Sequence, residues 1–200
     1  FRFAVPVYGC GFYQDCPAFR IGLETLGPKR MQRWLDLWDP SAYLPYAEMP
    51  MMWVTGTNDG AYPLDALRSS YRSIAGELTL CIRIEMPHGH GGLGENPDEI
   101  RVFADSFLQD GPPLARITKQ DLDDNRLRVE FKAGQPVVRA ELIYTRALGF
   151  WQDRKWNRSP AELNSETGCA EAQVPAETTV CYMNLIDDRD CVVSSQHLVL

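Results

Sequence analysis

Pro50-Met-Met-Trp-Val-Thr-Gly-Thr-Asn-Asp59 is the stretch on which the fold class turns. Residues 51–55 form a continuous apolar run, too short for a helix and without the alternation of a half-exposed strand. That pattern predicts a strand buried on both faces, and Gly56-Thr-Asn-Asp59 ends it in a turn. Downstream, residues 63–75 open on Pro63 and place Leu64, Leu67, Tyr71 and Ile74 on one stripe, which predicts an amphipathic helix. Residues 78–86 carry Leu80, Ile82 and Ile84 on one face and Cys81 on the other, a second buried strand. Asn96-Pro-Asp-Glu99 then reads as a helix start, with Asn96 as cap, Pro97 in the first turn and Glu99 closing a capping box, ahead of Ile100, Phe103, Phe107 and Leu108.

Upstream of the deciding run, Met31, Trp34, Leu35 and Trp38 recur at helical spacing and Asp39-Pro40 stops them. That predicts a helix over 28–38 with both tryptophans in the core. Residues 3–8 are a further apolar, strand-like run. The order strand, helix, strand, helix, strand, helix predicts an α/β class: a parallel sheet of about three strands with right-handed crossovers.

The pattern changes after Gln109-Asp-Gly-Pro-Pro113. Beyond it, Leu127, Val129 and Phe131 alternate, as do Ala140, Leu142 and Tyr144, and Val180, Tyr182 and Asn184, between turns at Gly134-Gln-Pro136 and Asp187-Asp-Arg-Asp190. The expected organisation is therefore an α/β part at 1–109, a linker at 110–113 and a small antiparallel β-sandwich at 114–200.

Composition narrows the function classes. The 200 residues are 44% hydrophobic and 24% charged, ordinary for a globular chain. A net charge of −7 offers no basic surface for a phosphate backbone, so nucleic acid is not an expected partner. No apolar run reaches the roughly 20 residues of a membrane helix, so neither is a membrane, and the chain reads as soluble. Six cysteines, an even number, point weakly to a secreted or periplasmic protein. Their spacings contain no C-x-x-C, and no metal or other cofactor is expected.

Parallel sheets do their chemistry at the carboxyl ends of their strands. Three segments sit there: Gly9-Cys10-Gly11, the Asp59 turn, and Pro87-His-Gly-His-Gly-Gly92. An Asp after one strand and a His after the next can meet, the carboxylate fixing the imidazole tautomer so that its other nitrogen can take a proton from a nucleophile. Alternatives are a metal site built from His88 and His90 with Asp59 or Glu95, and a Cys10 nucleophile. The bulky Tyr8 and Phe12 around Cys10 argue against the latter and leave Gly9, Cys10 and Gly11 as a pocket floor. Cys10 and Cys16 also bracket a short loop that a disulfide can close. Trp151 and Trp156, set among Arg146, Arg154, Lys155 and Arg158, are candidate glycan contacts or interface residues.

The run from Pro50 to Asp59 resembles the acid-bearing strand and turn of the α/β-hydrolase superfamily. His90-Gly-Gly-Leu-Gly-Glu95-Asn-Pro97 is similar to its catalytic-His loop. With Val5-Pro-Val-Tyr-Gly-Cys-Gly-Phe12 and Trp38-Asp-Pro-Ser-Ala-Tyr-Leu-Pro45, the first 108 residues more narrowly resemble the acetyl xylan esterase and cephalosporin-deacetylase-like hydrolases, some of which carry an extra β-domain. The resemblance implies a serine carboxylester hydrolase with Asp59 as acid and His90, by its spacing to Glu95 and Pro97, as base, with His88 as the alternative.

No G-x-S-x-G occurs in the chain. The resemblance places that elbow before Phe1, so the chain reads as the carboxyl-terminal half of an esterase, inactive alone on a carbohydrate or other small ester. It also implies an open strand edge at 3–8, to be covered by the upstream half of the hydrolase or by a second copy. The competing class is a non-catalytic chain that holds a glycan or a protein on its aromatic sandwich.

Overall fold

The structure, a computed structural model, describes residues 1–9, 11–92 and 94–200. It is a mixed α/β fold, mostly antiparallel, with one small parallel sheet of two strands. That sheet pairs β1 (Met51–Asn58) with β2 (Leu78–Pro87), in register from Met51 opposite Leu78 to Gly56 opposite Arg83. Around it stand α1 (Pro17–Glu24), α2 (Pro28–Trp38), α3 (Leu64–Ser73) and α4 (Asp98–Leu108).

The third parallel strand expected at 3–8 is only partly formed. Its N–H groups at Ala4 and Tyr8 donate to the Pro50 and Val54 carbonyls, and Met52 and Val54 donate back to Ala4 and Pro6. The rung between them is missing because Pro6 has no N–H to give, so the ladder reduces to two isolated bridges, Ala4 with Met51 and Val7 with Val54.

The rest of the chain forms two antiparallel sheets. One runs β10 (Val192–Ser194), β9 (Val180–Asp187), β5 (Val137–Thr145), β6 (Asn157–Pro160), with β11 (Leu198–Val199) also on β9. The other runs β3 (Arg116–Asp123), β4 (Arg126–Lys132), β8 (Cys169–Gln173), β7 (Glu162–Asn164). Leu127 and Val129 of β4, Ala170 of β8, Ala140 and Leu142 of β5, and Cys181, Met183 and Leu185 of β9 share one core. Val180 and Tyr182, on the alternate positions of β9, join a second core with Trp53, Leu80, Ile82 and Tyr71. Both faces of β9 are therefore covered, and all eight of its residues are buried. The alternation of Val180, Tyr182 and Asn184 marked one of two buried faces.

The free edge of β2 is closed by the antiparallel part. The Ile82 N–H donates to Ser194 Oγ at 2.8 Å, and the Tyr182 hydroxyl donates to the Ile82 carbonyl at 3.4 Å. Glu99 departs from the capping box. Helix α4 starts at Asp98 with Pro97 as its cap, and the fully buried Glu99 carboxylate instead accepts from the Val192 N–H at 2.8 Å and pairs with Arg83 at 2.6 Å. One carboxylate thus ties α4 to β2 and β10. A second departure lies in α2, which forms where expected but buries none of its residues; Trp38 is 69% exposed.

Candidate functional site

The site lies where β1 and β2 end. A Cβ on Gly56 would fall 1.9 Å from the Met86 carbonyl oxygen, so only glycine permits this approach. There the register shifts, and Asn58 comes opposite Pro87. The Thr57 hydroxyl, which accepts from the Glu85 N–H at 2.8 Å, secures the irregularity, and Glu85 takes a left-handed backbone (φ 56). The next residue on each strand is Asp59 and His88, so a pairing of strand ends delivers the two side chains to one place.

Asp59 is fully buried. Its Oδ1 accepts from the N–H groups of Ala61 and Tyr62, both at 2.8 Å, while Oδ2 lies 3.1 Å from His88 Nδ1. The two backbone donors fix the carboxylate plane and leave one oxygen for the imidazole. In the neutral imidazole, an Nδ1–H that donates to Asp59 leaves the lone pair on Nε2, the arrangement a base needs. The His88 side chain is 26% exposed, open enough for a ligand to reach it. Its ring rests against Tyr8 (centroids 4.5 Å) and Tyr62 (5.9 Å).

His90 is placed differently. Its side chain is 86% exposed, and its Nδ1 lies 3.4 Å from Glu95 Oε1 rather than near Asp59. The Glu95 carboxylate also accepts from the Gly91 N–H, closing a small turn of its own. The spacing of His90 to Glu95 is thus used for a local contact, and the preference for His90 as the partner of Asp59 is corrected to His88.

Gly9 and Gly11 lie on the other wall. A Cβ on Gly9 would come within 2.8 Å of the Tyr62 ring, and Gly11 adopts φ 85 against Ser41 and Leu44. Both glycines are therefore needed for close approach, and Gly9 reaches the pair through Tyr62. Cys10, the third residue of the expected pocket floor, lies outside the described residues. So does its expected bridge to Cys16.

Two residues shape this wall without having been singled out. Asp39, fully buried, accepts from the N–H groups of Phe12 and Ser41 on Oδ1 and of Tyr13 on Oδ2, pinning the segment after Gly11. Its position before Pro40-Ser41 was the available signal, read only as a helix stop. Tyr8, buried in a left-handed conformation (φ 66), donates its hydroxyl to the Gly89 carbonyl and packs where a Gly94 side chain would stand. Nothing in an apolar run ending in Tyr-Gly announces that contact.

The other nucleophile and ligand candidates are set apart. Burial, with Asp15, Asp39, Asp59 and Asp65 nearby, pushes the Cys16 thiol up to about 12, which keeps it protonated. Cys81, Cys169, Cys181 and Cys191 are likewise buried free thiols. Burial and then Arg68, Arg72 and Arg154 lower His197 to about 3, so it is neutral, and its Nδ1 meets the Tyr71 hydroxyl far from Asp59. Among the described residues no group of three or more His, Cys, Asp or Glu is arranged to hold a metal ion. Trp151 and Trp156 are 8% and 7% exposed, stacked on each other inside the second core. Neither ring is presented as a glycan platform; both share a core with Trp53, Leu80 and Ile82 of the parallel pair.

The chain matches no family model, no curated protein and no solved structure. Among the described residues, no helix is long and apolar enough to cross a membrane.

Proposed function

We propose that this chain supplies the acid and the base of a serine carboxylester hydrolase, with acetylated carbohydrates as the leading substrate class. One observation carries the reading. A buried carboxylate saturated on one oxygen by two backbone N–H groups offers its other oxygen to Nδ1 of a partly exposed imidazole, at the carboxyl ends of two adjacent parallel strands. In this mechanism His88 Nε2 takes the proton from a serine hydroxyl as the Ser Oγ–acyl bond forms and the ester C–O bond breaks. His88 then returns the proton to the leaving alkoxide. Asp59 holds the tautomer and stabilises the imidazolium, and water repeats the sequence to release the acid. The serine belongs to an elbow that residues 1–200 do not contain.

The test is hydrolysis of acetyl esters by the product of a continuous reading frame that joins this chain to a G-x-S-x-G elbow. Asp59→Asn and His88→Ala are each expected to lower kcat by about 10³ to 10⁴, and His90→Ala by less than about tenfold. The opposite ranking of the two histidines would overturn His88 as base. The chain alone is expected to show no turnover and no labelling by a fluorophosphonate; stoichiometric labelling of residues 1–200 would overturn the missing nucleophile.

A further inference from the structure

We propose that residues 149–154 of the antiparallel part form a wall of the Asp59–His88 site, and that Asn58 is the positioning residue that couples them to it. This inference rests on reading Asp59 and His88 as an acid–base pair. Asn58 ends β1, immediately before Asp59. Its amide Nδ2 donates to the Gln152 carbonyl at 2.9 Å and to the Arg154 carbonyl at 2.8 Å. Its Oδ1 accepts from the Thr57 hydroxyl at 2.7 Å. Both donors and the acceptor are therefore used, which fixes which end of the amide carries nitrogen.

The same strip is also touched one residue beyond Asp59. A Cβ on Gly60 would stand 3.3 Å from Gln152 Cβ, so residues 58 and 60 both abut the wall and the catalytic turn lies between them. The wall is itself anchored. The Arg154 guanidinium covers the Trp151 ring at 3.8 Å and donates to the Gly149 carbonyl. Trp151 stacks on Trp156, and Trp156 meets Tyr182 of β9 edge-on.

On its other side, the Asn58 amide is linked through Thr57 to the Glu85 N–H of β2, three residues before His88. Asn58 thus stands between the strand ends that carry the two partners, with a rigid support behind it. Acid–base geometry is sensitive to shifts of the order of 1 Å, so the support has a chemical consequence. The antiparallel part contributes to the site by holding the acid turn in place.

The experiment uses chain 1–200 labelled uniformly with ¹⁵N, and reads the His88 tautomer and the exchange of its ring N–H with solvent. The variants are Asn58→Ala, Asn58→Asp, which keeps size and acceptor but lacks both donors, and Asp59→Asn. Amide exchange of Leu127 and Val129, fully buried in β4 within the other core, is the internal control for general loosening, because His197 packs on Trp151 of the wall itself. In the wild type the proton is expected on Nδ1 of His88. Both Asn58 variants are expected to speed its exchange about tenfold, the effect of losing two modest hydrogen bonds, with the Leu127 and Val129 amides unchanged.

If neither Asn58 variant moves His88 while Asp59→Asn does, the coupling is overturned and the pair stands. If the variants speed His88 and the Leu127 and Val129 amides alike, the role of Asn58 is general stability and the coupling is again overturned. If Asp59→Asn leaves His88 unchanged, the acid–base pair itself falls.

Discussion

Trp38 and Trp53 end up in opposite surroundings, and their segments show why. Trp53 sits in β1, where seven of the eight residues are buried and the ring is shut in by α3, β2 and β9. Trp38 closes α2, a helix with as clear an apolar stripe, and is mostly exposed; α1 buries only Leu23. Residues 11–46 reach the rest through few buried side chains, Leu44 in the second core and Cys16 beside Tyr62, and through ring contacts such as Tyr13 with Tyr62, while the Asp39 carboxylate ties residues 12, 13 and 41 to one another; β1 and β2 are held by two shared cores. A stripe states which side of a helix is apolar. It does not state what covers that side.

The sharpest way to break this contrast is to empty the buried position. Trp53→Ala should lower stability by about 3–5 kcal/mol, as deletion of a large buried aromatic does; urea denaturation measures it, and a loss under about 1 kcal/mol would place Trp53 outside the core.

The interface that buries β9 makes a pH prediction. Burial, reinforced by Arg68, Arg72 and Arg154, lowers His197 from its ordinary value near 6.5 to about 3, between Tyr71 and Trp151. Between those values the unfolded chain binds a proton that the folded chain does not. Stability therefore falls with acidification by about 1.4 kcal/mol per pH unit from this group and stops falling below about pH 3. The slope in urea midpoints between pH 6 and 4 should be shallower by that amount in His197→Phe; equal slopes would show that His197 protonates in the folded state.

The polar anchor of the less buried region is tested by Asp39→Ala, which leaves the N–H groups of Phe12, Tyr13 and Ser41 without their acceptor. A loss of about 1–3 kcal/mol is expected, with faster amide exchange confined to residues 11–13 and 41. The smallest effect is assigned to Trp38→Ala, within about 0.5 kcal/mol. A loss comparable to that of Trp53→Ala would erase the contrast.

Much of the secondary structure was legible. Helix α2 starts and stops at its Pro28 and Asp39-Pro40 signals, α3 begins one residue after Pro63, and both strands of the parallel pair follow their apolar runs. The broken ladder at 3–8 was not foreseen in the expected third strand, although its signal was there: Pro6 stands inside the run and cannot donate. Asp59 was legible as a carboxylate after a strand. Its partner was not, because the choice between His88 and His90 depends on the Gly56–Asn58 irregularity that sets Asn58 opposite Pro87. With the spacing of the earlier rungs Asn58 would stand opposite Glu85; the irregularity takes up two extra residues of β2, so that His88 rather than Met86 follows beside Asp59.

By itself, then, the sequence determined the alternation of strands and helices before residue 109, the antiparallel character after it, and the two loops on which an acid and a base could meet. Those are local facts, set by apolar periodicity, by prolines and by turn residues. Only the tertiary structure decided that His88 faces Asp59, that Trp151 and Trp156 are walled in, that β9 is covered on both faces, and that Asn58 reaches Gln152 and Arg154. Each of these joins residues far apart in the chain or turns on register. Such contacts depend on how faces pack, and a periodic pattern carries no record of its partner.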